Sequence, residues 1–391
     1  MKSEKKYINA IYGVLLVYGL IAITSLNFKI SNELMLINYF FIYIVFINFI
    51  IKVKKINKIN LIFSIIIMFF LLLSTLTSKF YNYTWGTLLP YLTFTLMIIL
   101  DIKKLKLKYI DKYFLIFNSI NLIIGFLIII SNKEIINFIA KYYSWGYEEL
   151  VTNMLLRGKP ILWFGSHSLT GLFIFIFYYL CIRTYMIKNK NIYLLFSLGY
   201  LVLLISLKSN TSLVFFIIAI VYLIRQIKDK KIMIIIFIGL IILLLNNSII
   251  RDIYNESFVY ITNSDKNGII GRFGAGGALE STLKYIKSNF FNPIGLSYSS
   301  ELYYTDNGFV INILRGGIIF TISIYVSFYL FLKRNIKFKS AVYVIFISIL
   351  MFEIGYVTFL YFRTFYIVVF VILYLNYLYD ESTINNEERI I

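Results

Sequence analysis

Apolar runs close to twenty residues long recur from one end of this chain to the other. About twenty apolar residues wound as a helix cross the hydrocarbon core of a bilayer. The stretch IFSIIIMFFLLLSTL, residues 62–76, does not alternate polar with apolar positions, as a membrane-barrel strand must. Composition agrees: 60% of the 391 residues are hydrophobic and 15% charged, whereas a soluble domain carries roughly 25% charged residues. The predicted fold is an all-α polytopic integral membrane protein. It forms a single membrane domain over 1–391, without a soluble domain. Twelve transmembrane helices are expected, at 7–26, 33–51, 60–78, 84–100, 113–131, 167–187, 191–207, 210–226, 231–247, 308–332, 340–356 and 358–378.

A formal net charge of +19 would suit a nucleic-acid binder, so its location matters. With a cytoplasmic N-terminus, 24 of the 38 Lys and Arg fall on the inner turns or the span ends beside them. KVKKINK (52–58) and KKLKLK (103–108) then read as topology anchors under the positive-inside rule. A nucleic-acid partner is excluded on that ground, and both termini are predicted to be cytoplasmic. The single cysteine, Cys181, offers neither an internal disulfide nor a metal cluster and reads as a small packing residue. The first apolar run is span-length and lacks a small-residue cleavage site, so no cleavable signal peptide is predicted.

Most connections are short, but two outer segments are not: 132–166, and the long extracytoplasmic loop 248–307. Long loops in compact proteins are functional or disordered, and both segments keep aromatic and aliphatic residues that disordered chains lack. Residues 277–291 read as an amphipathic helix, with Leu279, Leu283, Ile286 and Phe290 at helical spacing; residues 134–143 can form another. Such helices lie on a membrane face or cap a cavity. No internal repeat is seen, which weighs against carriers built from repeats.

GRFGAGG, residues 271–277, lacks the pattern and the strand context of a nucleotide-binding loop. It is either a flexible link or a backbone that presents Arg272 to a ligand, since glycine allows close approach and arginine grips phosphates bidentately. Other cations sit against the positive-inside gradient: Arg157, Lys208, Arg315 and Arg363. Ionisable residues within spans face a polar cavity or a partner, and Glu353 is the natural partner for Arg363. Asp306 and Asn307 stand where the tenth span begins. They can cap its helix, and Asp306 can also serve as a general base. His167, the only histidine, is an interfacial residue or a substrate contact and implies no metal site. The many outer aromatics, among them Tyr81, Trp85 and Trp163, fit an aromatic belt; some could line a glycan path.

The order of these features resembles a known superfamily. A tight outer turn, SLKSNTSLVFF, is followed by two spans. A long outer loop then carries Gly271-Arg272, NPIG (292–295) and DNGFVINILRGGIIF (306–320). This is similar to the bacterial polysaccharide polymerases and O-antigen ligases, most of all the Wzy-type repeat-unit polymerases. The resemblance covers about 160–332. It implies a glycosyltransferase without cofactor that joins polyprenyl-diphosphate-linked oligosaccharide units at the outer face of the bacterial inner membrane, with a chain-length regulator as a candidate partner. It further implies Arg272 and Asp306 as catalytic residues, and Arg157, Lys208, Arg315, Asn307 and His167 as substrate contacts. Asp306 stands where ligases typically have a histidine, which favours polymerase over ligase. Lys208 stands where many members have arginine, and lysine is only a point charge. A ligase, and a flippase for lipid-linked oligosaccharides, are the alternatives.

Overall fold

The computed structural model describes residues 6–24, 31–144, 147–226, 279–289, 293–302, 304 and 307–388. In chain order these form β1 (Lys6–Ile8), α1 (Ala10–Ile21), α2 (Ser31–Val53), α3 (Lys58–Thr77), β2 (Asn82–Tyr83), α4 (Leu88–Ile98), β3 (Leu105–Leu107) and α5 (Ile110–Ile129). There follow α6 (Lys133–Tyr143), α7 (Glu148–Leu156), α8 (His167–Lys188), α9 (Asn191–Ser206) and α10 (Asn210–Gln226). The last described elements are α11 (Glu280–Ser288), β4 (Ser297–Tyr298), α12 (Gly308–Asn335), α13 (Lys339–Glu353) and α14 (Phe362–Glu388). Six helices, α2, α3, α5, α8, α12 and α14, are long and apolar enough to cross a membrane, so the protein is a helical membrane protein. The expected span 231–247 lies outside the described residues; each of the others has a helix within it.

Some of these helices are shorter than expected. α4 has 11 residues, about 16 Å of helix against a hydrocarbon core of about 30 Å. The expected span 84–100 therefore holds a 3-10 turn, Trp85–Thr87, a half-length helix and an isolated bridge from Leu100 to Ile56. α12 is not one straight rod. Gly317 sits at φ 82°, ψ −175° inside it, a backbone region open essentially only to glycine, and the helix breaks there.

The chain divides into two compact units. The first holds residues 1–22, 32–114 and 278–391. α14 is its central helix, with 89% of its span window buried; α2 and α3, at 33% each, keep apolar faces outward. α12 packs along α3 and against α13. One end of this unit is tied by charges and short strands. β1 pairs in parallel with β3. Asp380 accepts from Lys106 at 2.6 Å and Lys337 at 2.5 Å, and Arg334 meets Asp101 at 2.8 Å. Asn335 clamps the turn after α4, accepting from Ile102 N at 2.7 Å and donating to Leu100 O. This is the lysine-rich end. The opposite end carries the Ser78–Thr87 turn, residues 293–302 and 304, and the Glu353–Phe362 turn.

The second unit holds residues 23–31 and 115–277. α8 is its central helix, 78% buried over its span window, packed on α9 and α10. α6 has the amphipathic pattern the sequence predicts. Asn132 caps it, accepting from Ile135 N at 3.1 Å, and its buried face is Ile136, Ile139, Ala140 and Tyr143, the one-stripe spacing of a surface helix. The second predicted amphipathic helix appears in the first unit as α11.

Candidate functional site

In the first unit, the polar groups gather at the end opposite the lysines, around the break in α12. A helix carbonyl normally accepts from the N–H four residues on. The break at Gly317 takes Leu314 O out of that pattern, and Ile294 N donates to it instead, at 2.9 Å. The segment 293–298 is therefore docked onto α12. Leu296 N donates to Thr75 Oγ1 at 2.9 Å, Thr84 donates from both N and Oγ1 to Leu296 O at 2.9 Å, and β4 pairs with β2. Gly295 makes this possible: it sits at φ +58°, and a Cβ there would collide with the backbone of Thr75.

Arg315 is enclosed by this segment. It is 6% exposed, its Nη1 donates to Gly295 O at 2.9 Å and Ser297 O at 2.7 Å, and its guanidinium lies 5.5 Å from the Tyr304 ring centre. Tyr304 stacks on Tyr298 and accepts from Ser299 N; burial pushes its phenol above its ordinary value despite the nearby Arg315. Arg315 Nε and Ser297 Oγ are buried with no hydrogen-bond partner among the described residues. No carboxylate among the described residues forms an ion pair with Arg315.

Beside Arg315 runs a chain of buried side chains in which every donor points the same way. Tyr91 OH donates to Asn312 Oδ1 (2.9 Å), Asn312 Nδ2 to Tyr325 OH (3.0 Å), and Tyr325 OH to Glu353 Oε2 (2.9 Å). Thr358 N donates to Glu353 Oε1 at 2.9 Å. Glu353 is fully buried, and each of its oxygens has a hydrogen-bond partner. The expected ion pair between Glu353 and Arg363 is absent: Arg363 donates to Ala22 O and Tyr361 OH and lies over the Tyr361 and Phe362 rings. Backbone and aromatic partners took the place of the carboxylate, a choice that charge matching along the sequence does not reveal.

Asn307 is the N-cap of α12. Its Oδ1 accepts from Val310 N at 3.0 Å and its Nδ2 donates to Ile354 O at 2.9 Å. The capping half of the sequence reading thus belongs to Asn307. Asp306 and Arg272, the predicted catalytic pair, lie outside the described residues.

The second unit holds the other three predicted contacts. The turn before α10 is a reciprocal cap: Ser209 Oγ accepts from Ser212 N and Ser212 Oγ from Ser209 N, both at 3.2 Å, the capping-box arrangement. Lys208 precedes it at φ 48°. Its carbonyl accepts from the buried Lys159 Nζ at 3.4 Å. Lys159 is also close enough to His167 to act on it electrostatically. His167 opens α8, with Nδ1 buried and unpartnered among the described residues. Arg157 ends α7 as an exposed C-cap residue. The structure thus associates Lys208 and His167 through Lys159, which the sequence reading passed over in favour of its neighbour Arg157. Among the described residues no cluster of three His, Cys, Asp or Glu could hold a metal.

The sequence matches no protein-family model. No curated protein and no solved structure is similar to it.

Proposed function

We propose that this chain is a membrane glycosyltransferase that polymerises polyprenyl-diphosphate-linked oligosaccharide repeat units at the outer face of the bacterial plasma membrane, with both termini cytoplasmic. One observation carries the reading. Two of the four sequence pieces behind the family resemblance, about twenty residues apart, are bonded to each other in the first unit. Ile294 and Gly295 of NPIG bond to Leu314 and Arg315 of the LRGG stretch. Asn307 and Gly308 of DNG begin the helix on which Arg315 lies. A shared locus is what one working site requires.

In this reaction the acceptor sugar's hydroxyl oxygen bonds to the anomeric carbon of the donor chain. The bond from that carbon to the diphosphate oxygen breaks, and the lipid diphosphate leaves with the electron pair. Asp306 takes the hydroxyl proton. Arg272 binds the diphosphate and stabilises its growing charge, as preorganised donors do in other transfer reactions. Arg315 is a positioning residue in this scheme, because its guanidinium already holds segment 293–298.

The test is the glycan ladder. A strain lacking the gene should carry glycan of a single repeat unit, and so should one carrying Arg272→Ala at normal protein abundance. A full ladder in either would refute the assignment. Lost attachment with accumulated lipid-linked polymer would identify a ligase. A flippase for lipid-linked oligosaccharides is the second reading, favoured by the broken helix α12, since interrupted membrane helices with charges at the break are a transporter device. It would show single-repeat lipid accumulating on the cytoplasmic side.

A further inference from the structure

Arg315 carries a charge that no group among the described residues neutralises. It lies about 10 Å along α12 from Gly308 and is 6% exposed. Nη1 donates to Gly295 O and Ser297 O, but these carbonyls are dipoles without net charge. No carboxylate among the described residues is ion-paired with it. The titratable groups that act on it electrostatically are two phenols, Tyr91 and Tyr304. Glu353 stands at the far end of the chain that leads from Tyr91 through Asn312 and Tyr325. Buried charges are normally paired, and a cation within a membrane span calls for a partner.

Two polar atoms mark the place of that partner. Arg315 Nε and Ser297 Oγ are both buried with no hydrogen-bond partner among the described residues. The two residues are in contact, since Ser297 O accepts from Nη1 at 2.7 Å. An unpaired buried donor costs more than a hydrogen bond gains, so two orphans on contacting residues point to a shared acceptor. The break at Gly317 adds to the same field. α12 restarts there, and the positive end of the dipole of segment 318–335 follows Arg315 within a turn. A water would satisfy the donors and leave the charge; an anion does both. Its size is limited, because Ser297 is fully buried and the Tyr304 ring lies against the guanidinium. A phosphate ester or a sugar carboxylate brings a bulky chain that a fully buried hydroxyl does not admit.

We propose that Arg315 Nε and Ser297 Oγ bind a chloride ion, a resident counter-ion that helps to hold the docked segment 293–298 on α12. A monatomic anion accepts from donors in any direction, which suits one N–H and one O–H held by different elements. The ion is distinct from the lipid diphosphate of the proposed reaction, which must enter and leave in each cycle. Chloride binding therefore stands or falls apart from that activity.

The full chain, purified in detergent, is unfolded by heat in sodium chloride and in sodium gluconate at equal ionic strength; gluconate is too large for the site. Chloride at about a hundred times its dissociation constant should raise the melting temperature by about 5 °C over gluconate, and bromide should do the same. Arg315→Met should abolish the response, but it also removes the donor to Gly295 O and Ser297 O. Ser297→Ala keeps that carbonyl and is the cleaner variant. It should melt like the wild type in gluconate, because Oγ has no partner there to lose, yet need about ten times more chloride for the same rise, the scale of one hydrogen bond to an ion. In crystals grown with bromide, the anomalous signal should lie between Arg315 Nε and Ser297 Oγ. Equal melting in chloride and gluconate, a response undiminished in Ser297→Ala, or a larger rise with phosphate than with chloride would each overturn the proposal.

Discussion

Gly308 leaves no room for a methyl group. A Cβ at this first residue of α12 would collide with the Glu353 carboxylate, which Tyr325 and Thr358 hold from both sides. Gly308→Ala should therefore destabilise the protein by about 1–3 kcal/mol, the usual cost of overpacking. Thermal unfolding in detergent reads this directly. If the carboxylate is the obstacle, Gly308→Ala in a Glu353→Ala background should cost clearly less than it does alone; strict additivity would place the strain elsewhere. Glu353→Gln is not a conservative change here. With Thr358 N holding one oxygen, the amide N–H₂ faces Tyr325 OH, which must turn to accept and reverse its bonds with Asn312 and Tyr91, at a cost of about 1–3 kcal/mol. Arg315 poses the complementary case. Arg315→Met strips Gly295 O and Ser297 O of their donor, so segment 293–304 should become open to proteolytic cleavage while the helices stay protected. Cleavage no faster than in the wild type would mean that Thr75, Thr84, the Ile294–Leu314 bond and the β2–β4 pairing hold the segment without Arg315.

At the level of elements, the break in α12 decides how the outer end of the first unit is built. Gly317 frees Leu314 O, and that carbonyl receives Ile294 N. Gly317→Ala cannot keep φ 82° without strain of about 1–3 kcal/mol. If the helix straightens instead, Leu314 O returns to the ladder and the docked segment loses a bond. Either way the melting temperature should fall, and polymer length should fall with it if the transferase reading is right. An unchanged melting temperature would show that the break is not needed. The break was not legible in ILRGGIIF, because a helix that is apolar nearly all round offers no stripe whose drift would mark a kink. For the same reason the short α4 read as a full span. The amphipathic α6 and α11 were legible, since each has a polar face to contrast with its apolar one. The N-cap at Asn307 was legible as one of two candidates beside Asp306, and the bond from Val310 N identifies it. Lys159 was not, because only burial separates it from its exposed neighbour Arg157.

At the level of the whole molecule, the charge gradient along the sequence makes a claim about sidedness that single residues can test in each unit separately. In the first unit, Lys55 precedes α3 and Tyr81 follows it. In the second, Lys190 and Tyr147 stand on the two sides of α8 in sequence, Lys190 in the turn after it and Tyr147 ahead of α7. All four positions are exposed. The single native cysteine suits the experiment, because Cys181 is fully buried, a reagent cannot reach it, and the wild-type chain should be silent to a thiol reagent. On intact cells, a membrane-impermeant maleimide should label Tyr81→Cys and Tyr147→Cys but leave Lys55→Cys and Lys190→Cys unmodified until the membrane is opened. The positive-inside rule predicts this pattern because the basic turns stay on the cytoplasmic side during insertion. The converse pattern would put Arg315, Lys208 and His167 at the cytoplasmic face, where a polyprenyl-linked acceptor awaiting polymerisation outside could not reach them. Labelling therefore judges the membrane orientation and the transferase reading together: inverted labelling removes both, and the expected labelling leaves the glycan ladder to decide the chemistry.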